Sequence, residues 1–138
     1  MADTESRNEQ LVRRFFADAL NTGDLEKIRP FFHPDATWTP MAKEGSIPGA
    51  AVHRGRKGIV DDFLAPVRGL FIDGDPKNSI ENLFGKGDHV LVETHGTGTF
   101  RNGREYDNRY AWIVEIRDDM IFAIREYMDT AYIASITS

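Results

Sequence analysis

Cysteine is missing from all 138 residues. That absence removes disulfides, thiolate nucleophiles and zinc–thiolate sites, and leaves no sign of an oxidising compartment. Long apolar runs are missing too: none approaches the roughly 18 residues of a membrane span. The polar, acidic start Met1-Ala2-Asp3-Thr4-Glu5-Ser6 lacks the basic and apolar regions of a signal peptide. The chain is therefore expected in the cytoplasm, with no membrane partner. Basic residues are in the minority, 17 against 22 acidic, for a net charge of −5 with no like-charge run longer than a few residues. A phosphate-neutralising surface is disfavoured by that balance, and nucleic acid with it. Gly55-Arg56-Lys57-Gly58 has neither the preceding apolar strand nor the spacing of a phosphate loop, and no serine sits in a nucleophile elbow. No His/Asp/Glu set has local metal-ligand spacing. No metal or cofactor is expected.

What is present fits one globular domain over residues 1–138: the chain is 41% hydrophobic and 28% charged, and its 15 aromatics suffice for one core and the lining of a cavity. Ser6 followed by Glu9 reads as a capping box, and Leu11, Val12, Phe15, Phe16, Ala19 and Leu20 recur at helical spacing up to Gly23. Asp24 is placed to cap a second helix carrying Leu25, Ile28, Phe31 and Phe32 inward, which Pro34 cannot continue. Ala36 to Thr39 reads as a short strand. Residues 40–58, punctuated by glycine and proline without a clear period, read as a long loop of the kind that tends to be functional. Ile59, Phe63, Leu64 and Val67 predict a third helix ending near Pro66 to Gly69.

From Lys77 onward β-branched and aromatic residues dominate. Turn signals at Gly85-Lys86-Gly87-Asp88, Asn102-Gly103 and Asp118-Asp119 divide this half into four antiparallel runs. Two of them are too long for a small domain unless they bend, and Gly96 and Gly98 are the expected places. The predicted fold is α+β, a cone-shaped curved antiparallel sheet wrapped around N-terminal helices and enclosing a cavity, a cystatin-like α+β barrel.

Several segments carry a resemblance to a known family: Asn21-Thr22-Gly23-Asp24-Leu25, Phe32-His33-Pro34-Asp35-Ala36, His53-Arg54-Gly55, Val90-Leu91-Val92-Glu93 with Gly96 and Gly98, and Arg125-Glu126-Tyr127-Met128-Asp129. Over nearly its whole length the chain resembles the nuclear transport factor 2-like, or SnoaL-like, superfamily. Its members include ketosteroid isomerases, epoxide hydrolases, polyketide cyclases, dehydratases and non-catalytic dimerisation modules. A ketosteroid isomerase-like site would want tyrosine at Phe16, a carboxylate at Pro40 and an acid at Trp112, and none is met. A limonene-epoxide-hydrolase-like site would want tyrosine at Trp38, asparagine at Pro40, arginine at Thr94, aspartate at Gly96 and a carboxylate at Glu126, and only the last is met. SnoaL-like cyclases keep an acid on the final strand, which by this alignment is again Glu126. The resemblance further implies a homodimer formed through the sheet.

Read by strand alternation alone, Phe122, Ile124, Glu126 and Met128 share one face of the last run, and Ile121, Ala123, Arg125, Tyr127 and Asp129 the other. Hydrophobicity does not choose between the faces; the family alignment turns Glu126 inward, where burial would raise its pKa and fit it for proton exchange. The alternative is a satisfied core glutamate. On neighbouring strands Asn108, Tyr110 and Trp112, and Thr94 with Gly96 and Gly98, would form floor and walls, their hydroxyl and amide groups able to face an oxyanion. Strict two-residue turns at Asn102-Gly103 and Asp118-Asp119 would oppose the wrong faces, so each hairpin needs a bulge or one extra loop residue. His33 and His89 read as solvated turn residues, His95 as an outer-face residue, and His53 as a candidate substrate contact at the cavity mouth. The site expectation is Glu126 as the catalytic acid/base, with Trp38, His53, Thr94, Asn108, Tyr110, Trp112 and Met128 binding a small hydrophobic substrate. The function expected is a cofactor-independent isomerase, cyclase, dehydratase or hydrolase, the alternative a non-catalytic ligand-binding or dimerisation module.

Overall fold

In a computed structural model, which describes residues 3–137, the first helix opens on Asp3. Its carboxylate accepts a 2.7 Å hydrogen bond from the Ser6 amide, so Asp3 and not Ser6 caps α1 (Thr4–Arg14). The expected capping box does not form, because Glu9 is drawn elsewhere. Its carboxylate accepts from the Gly85 amide (2.8 Å), and that of Glu5 from the Gly87 amide (2.7 Å). Two acids of one helix thereby clamp a distant β-turn. The helix continues through a π-helical turn, Phe15–Ala19, and a 3-10 turn, Leu20–Thr22. Gly23 then closes it at φ +74°, a left-handed position where a Cβ would also come within 2.9 Å of Gly74 Cα. Asp24 caps α2 (Leu25–Ile28) through the Glu26 amide, as its position suggests.

The strands are β1 (Phe32–Pro40), β2 (His53–Arg54), β3 (Lys77–Lys86), β4 (His89–Thr99), β5 (Glu105–Arg117) and β6 (Met120–Met128). The strand expected at Ala36 to Thr39 is thus longer, and the long loop carries a two-residue strand of its own. Helical residues Lys57–Leu64, wound as a π-helix, run into α3 (Ala65–Arg68) where the third helix was expected. A last helix, α4 (Thr130–Thr137), was not anticipated. Among the described residues no helix is long and apolar enough to cross a membrane.

One curved, unclosed six-stranded sheet results, in the order β2-β1-β6-β5-β4-β3. All its ladders are antiparallel except β1 with β6, which is parallel. Both hairpin corrections are present. Thr99 pairs with Glu105 and the Phe100 amide bonds the Arg104 carbonyl, leaving one loop residue more than a strict two-residue turn allows. Asp118 and Asp119 turn the last hairpin at φ 55° and 58°, and a bulge follows in which Glu115 opposes Ala123 while Ile116 opposes Ile121. That bulge changes the face assignment of β6. Ile121 and Ile124 are both buried, and Phe122 lies outside, against His33 and the Arg117 guanidinium. The α+β class stands, but strict alternation from Phe122 to Met128 does not.

The sheet's concave face and the helices enclose one aromatic cluster. Phe15 meets Phe16, Phe31 and Phe32 edge-on, and Phe16 and Trp38 meet Trp112 in the same manner at 5.3 and 5.7 Å. A second cluster, Phe71, Phe100 and Tyr106, is covered by Tyr132, Ile133 and Ile136 of α4. Between the two clusters lies the cavity.

Candidate active site

Glu126 stands on β6 with Trp112 directly opposite on β5 and Pro40 beside it on β1. Its side chain points into the concave face and is buried. Among the described residues its carboxylate has one hydrogen bond, a 2.9 Å donation from Trp38 Nε1 to Oε1. A buried carboxylate with one donor is poorly solvated when ionised, so burial pushes its pKa up to about 7, and the indole hydrogen bond pulls part of the way back. Near neutrality the group is close to half ionised.

The cavity it borders measures about 90 Å³, room for several water molecules. Trp38, Phe63, Leu64 and Trp112 make its apolar walls, Ile47 and Pro48 of the long loop reach its rim, and Ile133 and Thr137 bring α4 to the same opening. Asp129 caps α4 by accepting from the Tyr132 amide (3.0 Å). The Arg104 guanidinium holds the Ile136 carbonyl (3.2 Å), and the Tyr132 hydroxyl accepts from the Asp107 amide (3.0 Å). The helix is thereby pinned to β5 and the loop before it.

Polar groups enter the cavity wall in two sets. In the first, Trp112 Nε1 donates to Thr94 Oγ1, which donates to Asn78 Oδ1, each at 2.9 Å. Asn21 fixes the strand at that point. Its amide group donates to the Asn78 carbonyl and accepts from the Asn78 amide, both at 2.7 Å, as a neighbouring strand would. Gly96 keeps the space open: a Cβ there would lie 2.8 Å from Tyr110 Cε1 and 3.0 Å from Asn78 Oδ1. In the second set the hydroxyls of Tyr106 and Tyr110 are hydrogen-bonded to each other, and Asn108 Nδ2 donates to Tyr106 (3.1 Å). Burial raises both phenol pKa values, Tyr106 to about 12, and an ionised Glu126 acts in the same direction. Both therefore remain protonated donors at neutral pH.

Of the residues singled out from sequence, Trp38, Tyr110, Trp112, Glu126 and Met128 border the cavity together. Thr94 and Asn108 stand one layer behind, holding Trp112, Asn78 and Tyr106. His53 is not on the cavity surface: its ring stacks on Phe63 at 4.2 Å and its Nε2 bonds the Gly49 carbonyl (2.7 Å), so it props the wall from behind. His33 is no solvated turn residue either; it lies on β1, largely buried beside Phe122. His95, on the outer face, contacts Asp107, and His89 is placed between Asp88 and Glu115. Arg68, Asn78, Tyr106 and the α4 residues went unseen. The cue for α4 was Asp129 followed by Ile133 and Ile136 at helical spacing. For Arg68 and Asn78 no local signal exists, because contacts across the cone bring them to the site. Among the described residues no group of three His, Asp or Glu side chains is placed to hold a metal ion.

A curved, open sheet folded over N-terminal helices around a cavity of this kind defines the NTF2-like class. An NTF2-like protein from Burkholderia thailandensis E264 superposes with a TM-score of 0.80 at 21% identity, over 95% of this chain and 97% of that one. The family model for the SnoaL-like domain matches residues 12–124, and the chain belongs to that family. It is also similar to TerC, solved in a co-crystal with polyporic acid (TM-score 0.81, 22% identity, 94% of this chain and 99% of that one). An LEH-like epoxide hydrolase of M. tuberculosis superposes with a TM-score of 0.76 at 17% identity, over 97% and 90%. These likenesses establish the fold. No curated protein matches at a significant level.

Proposed function

We propose that the chain is a cofactor-independent acid/base enzyme acting in the cytoplasm on a small hydrophobic carbonyl- or hydroxyl-bearing compound. The reaction is of the isomerase, cyclase, dehydratase or hydrolase type. Glu126 is the group that gives and takes the proton. The supporting observation is one buried acid on an apolar cavity wall, held by a single indole donor and brought by burial to a pKa of about 7. A proton carrier is most effective when its pKa lies near the working pH. In this reading the Tyr106–Tyr110 pair, with one hydroxyl proton spent between the two rings, supplies the other to the oxygen on which charge develops, and Trp38, Trp112 and Met128 hold the apolar body of the substrate. TerC, co-crystallized with polyporic acid, and the epoxide hydrolase lend the reading support by analogy of fold.

The test is turnover of candidate substrates by the Glu126→Gln variant, paired with ligand affinity. Loss of turnover with affinity kept supports proton transfer; turnover equal to the parent protein's refutes it. A non-catalytic binding module is the second reading. It is favoured by Phe16 and Trp112, which pack edge to face at 5.3 Å where an isomerase would place polar groups. Homodimerisation through the outer sheet face is part of the proposal, supported by exposed Phe84, Leu91 and Tyr127. Sedimentation showing only monomer at micromolar concentration would reject it.

A further inference from the structure

Arg68, the last residue of α3, borders the cavity although nothing in the proton chemistry above uses it. Its guanidinium has one hydrogen bond among the described residues, from Nη2 to the Pro76 carbonyl at 3.1 Å. A guanidinium carries five N–H donors, so most of them are unspent. Asp75 is close enough to act on it through charge, but Asp75 Oδ2 is engaged by the Thr99 amide (2.9 Å) and the two make no ion pair. Burial weakens the hold of Arg68 on its proton, as expected of a cation that has lost water without gaining a counter-ion. Asn78, two residues beyond Pro76, borders the same cavity. Its Oδ1 is taken by Thr94, while its amide nitrogen has no partner among the described residues. One corner of the cavity therefore offers a cation and an amide donor whose remaining N–H groups have no acceptor among the described residues.

We propose that this Arg68–Asn78 corner is a subsite for a planar oxyanion, and that the preferred ligand class is a small aromatic or conjugated carboxylic acid. The guanidinium fork matches the two oxygens of a carboxylate, and such charge-assisted pairs are among the strongest polar contacts a protein makes. The adjoining walls accept a flat ring: Tyr110 and Trp112 are stacked at 5.2 Å with a 24° tilt, and Trp38 crosses Trp112 edge-on. Asn78 lies on β3 and Glu126 on β6, three strand spacings or about 14 Å apart across the sheet, and they are also offset along it, Glu126 aligning through Trp112 with Val92 of β4 and Asn78 with Gly96 of the same strand. The acid group is thereby held away from Glu126, and the conjugated body is left to face it. The inference rests on the reading of the cavity as a small-molecule site, not on proton transfer by Glu126.

The experiment is calorimetric titration of the full chain with trans-cinnamate and, separately, with the uncharged cinnamamide at about pH 6, where Glu126 is mostly protonated and cinnamate ionised. Cinnamate is expected to bind at least about tenfold more tightly than cinnamamide. In Arg68→Gln that preference is expected to shrink to within about twofold, with cinnamamide affinity unchanged as the control for an intact cavity. Arg68→Lys, which keeps the charge and loses the fork, is expected to retain part of the preference and serves if the glutamine variant does not fold. Equal binding of the two probes by the parent protein, binding of neither at millimolar concentration, or a preference that survives Arg68→Gln would each overturn the proposal. Glu126→Gln separates the two readings: it is expected to keep the cinnamate preference, and if it does so without losing turnover, proton transfer by Glu126 falls while the oxyanion subsite stands.

Discussion

Replacing Glu126 by Gln removes a titrating group and keeps an oxygen to accept from Trp38 Nε1, so its effect on stability is expected to depend on pH. The carboxyl holds its proton up to about pH 7 in the folded chain, against an ordinary value of 4.5. Between those values the native state binds more protons than the unfolded chain. Stability from this group is fully present below 4.5 and is lost as pH rises through about 7. Integrated between about pH 5 and about pH 8 the loss is about 2–3 kcal/mol. The glutamine does not titrate, so the variant gains about 2–3 kcal/mol on the parent protein over that interval, whatever the fixed cost of the substitution. The other titrating groups are common to both proteins and cancel in the comparison. Urea unfolding of both proteins at the two pH values measures the difference directly. A difference below about 0.5 kcal/mol would show that Glu126 is not desolvated and would refute the reasoning.

Trp38→Phe deletes the one hydrogen bond among the described residues that favours the ionised carboxylate, and the Glu126 pKa is expected to rise further, as read by carboxyl-carbon NMR; a value unchanged or lower would contradict the assignment. Gly96→Ala places a methyl group 2.8 Å from Tyr110 Cε1 and is expected to cost about 1–3 kcal/mol in urea unfolding, with altered ring signals for Tyr110.

Much of the architecture was legible because it is written locally. The helical stripe from Leu11 to Leu20, the Asp24 cap and the three turn signals each lie within a few residues of what they specify. The hairpin corrections were legible by counting, since a buried face on both strands leaves only certain registers. The amino cap was misread because Asp3 and Ser6 are both good caps, and Glu9, which would have decided for Ser6, answers to Gly85 far along the chain. The face of the last strand was undecidable from hydrophobicity because the bulge at Phe122 breaks the alternation on which the reading depends. His53 was placed at the mouth on its loop position alone; its stacking on Phe63 follows from how the loop folds back on the helical segment. Arg68 and Asn78 gave no signal at all, because a polar residue at the end of a helix or edge strand becomes part of a site only once the sheet has curved around it.

The account turns on Glu126 being a desolvated acid on the cavity wall. Titration of its side-chain carboxyl carbon by NMR in the intact protein tests that most directly: a midpoint of about 7 is predicted, and a midpoint near the ordinary 4.5 would contradict it.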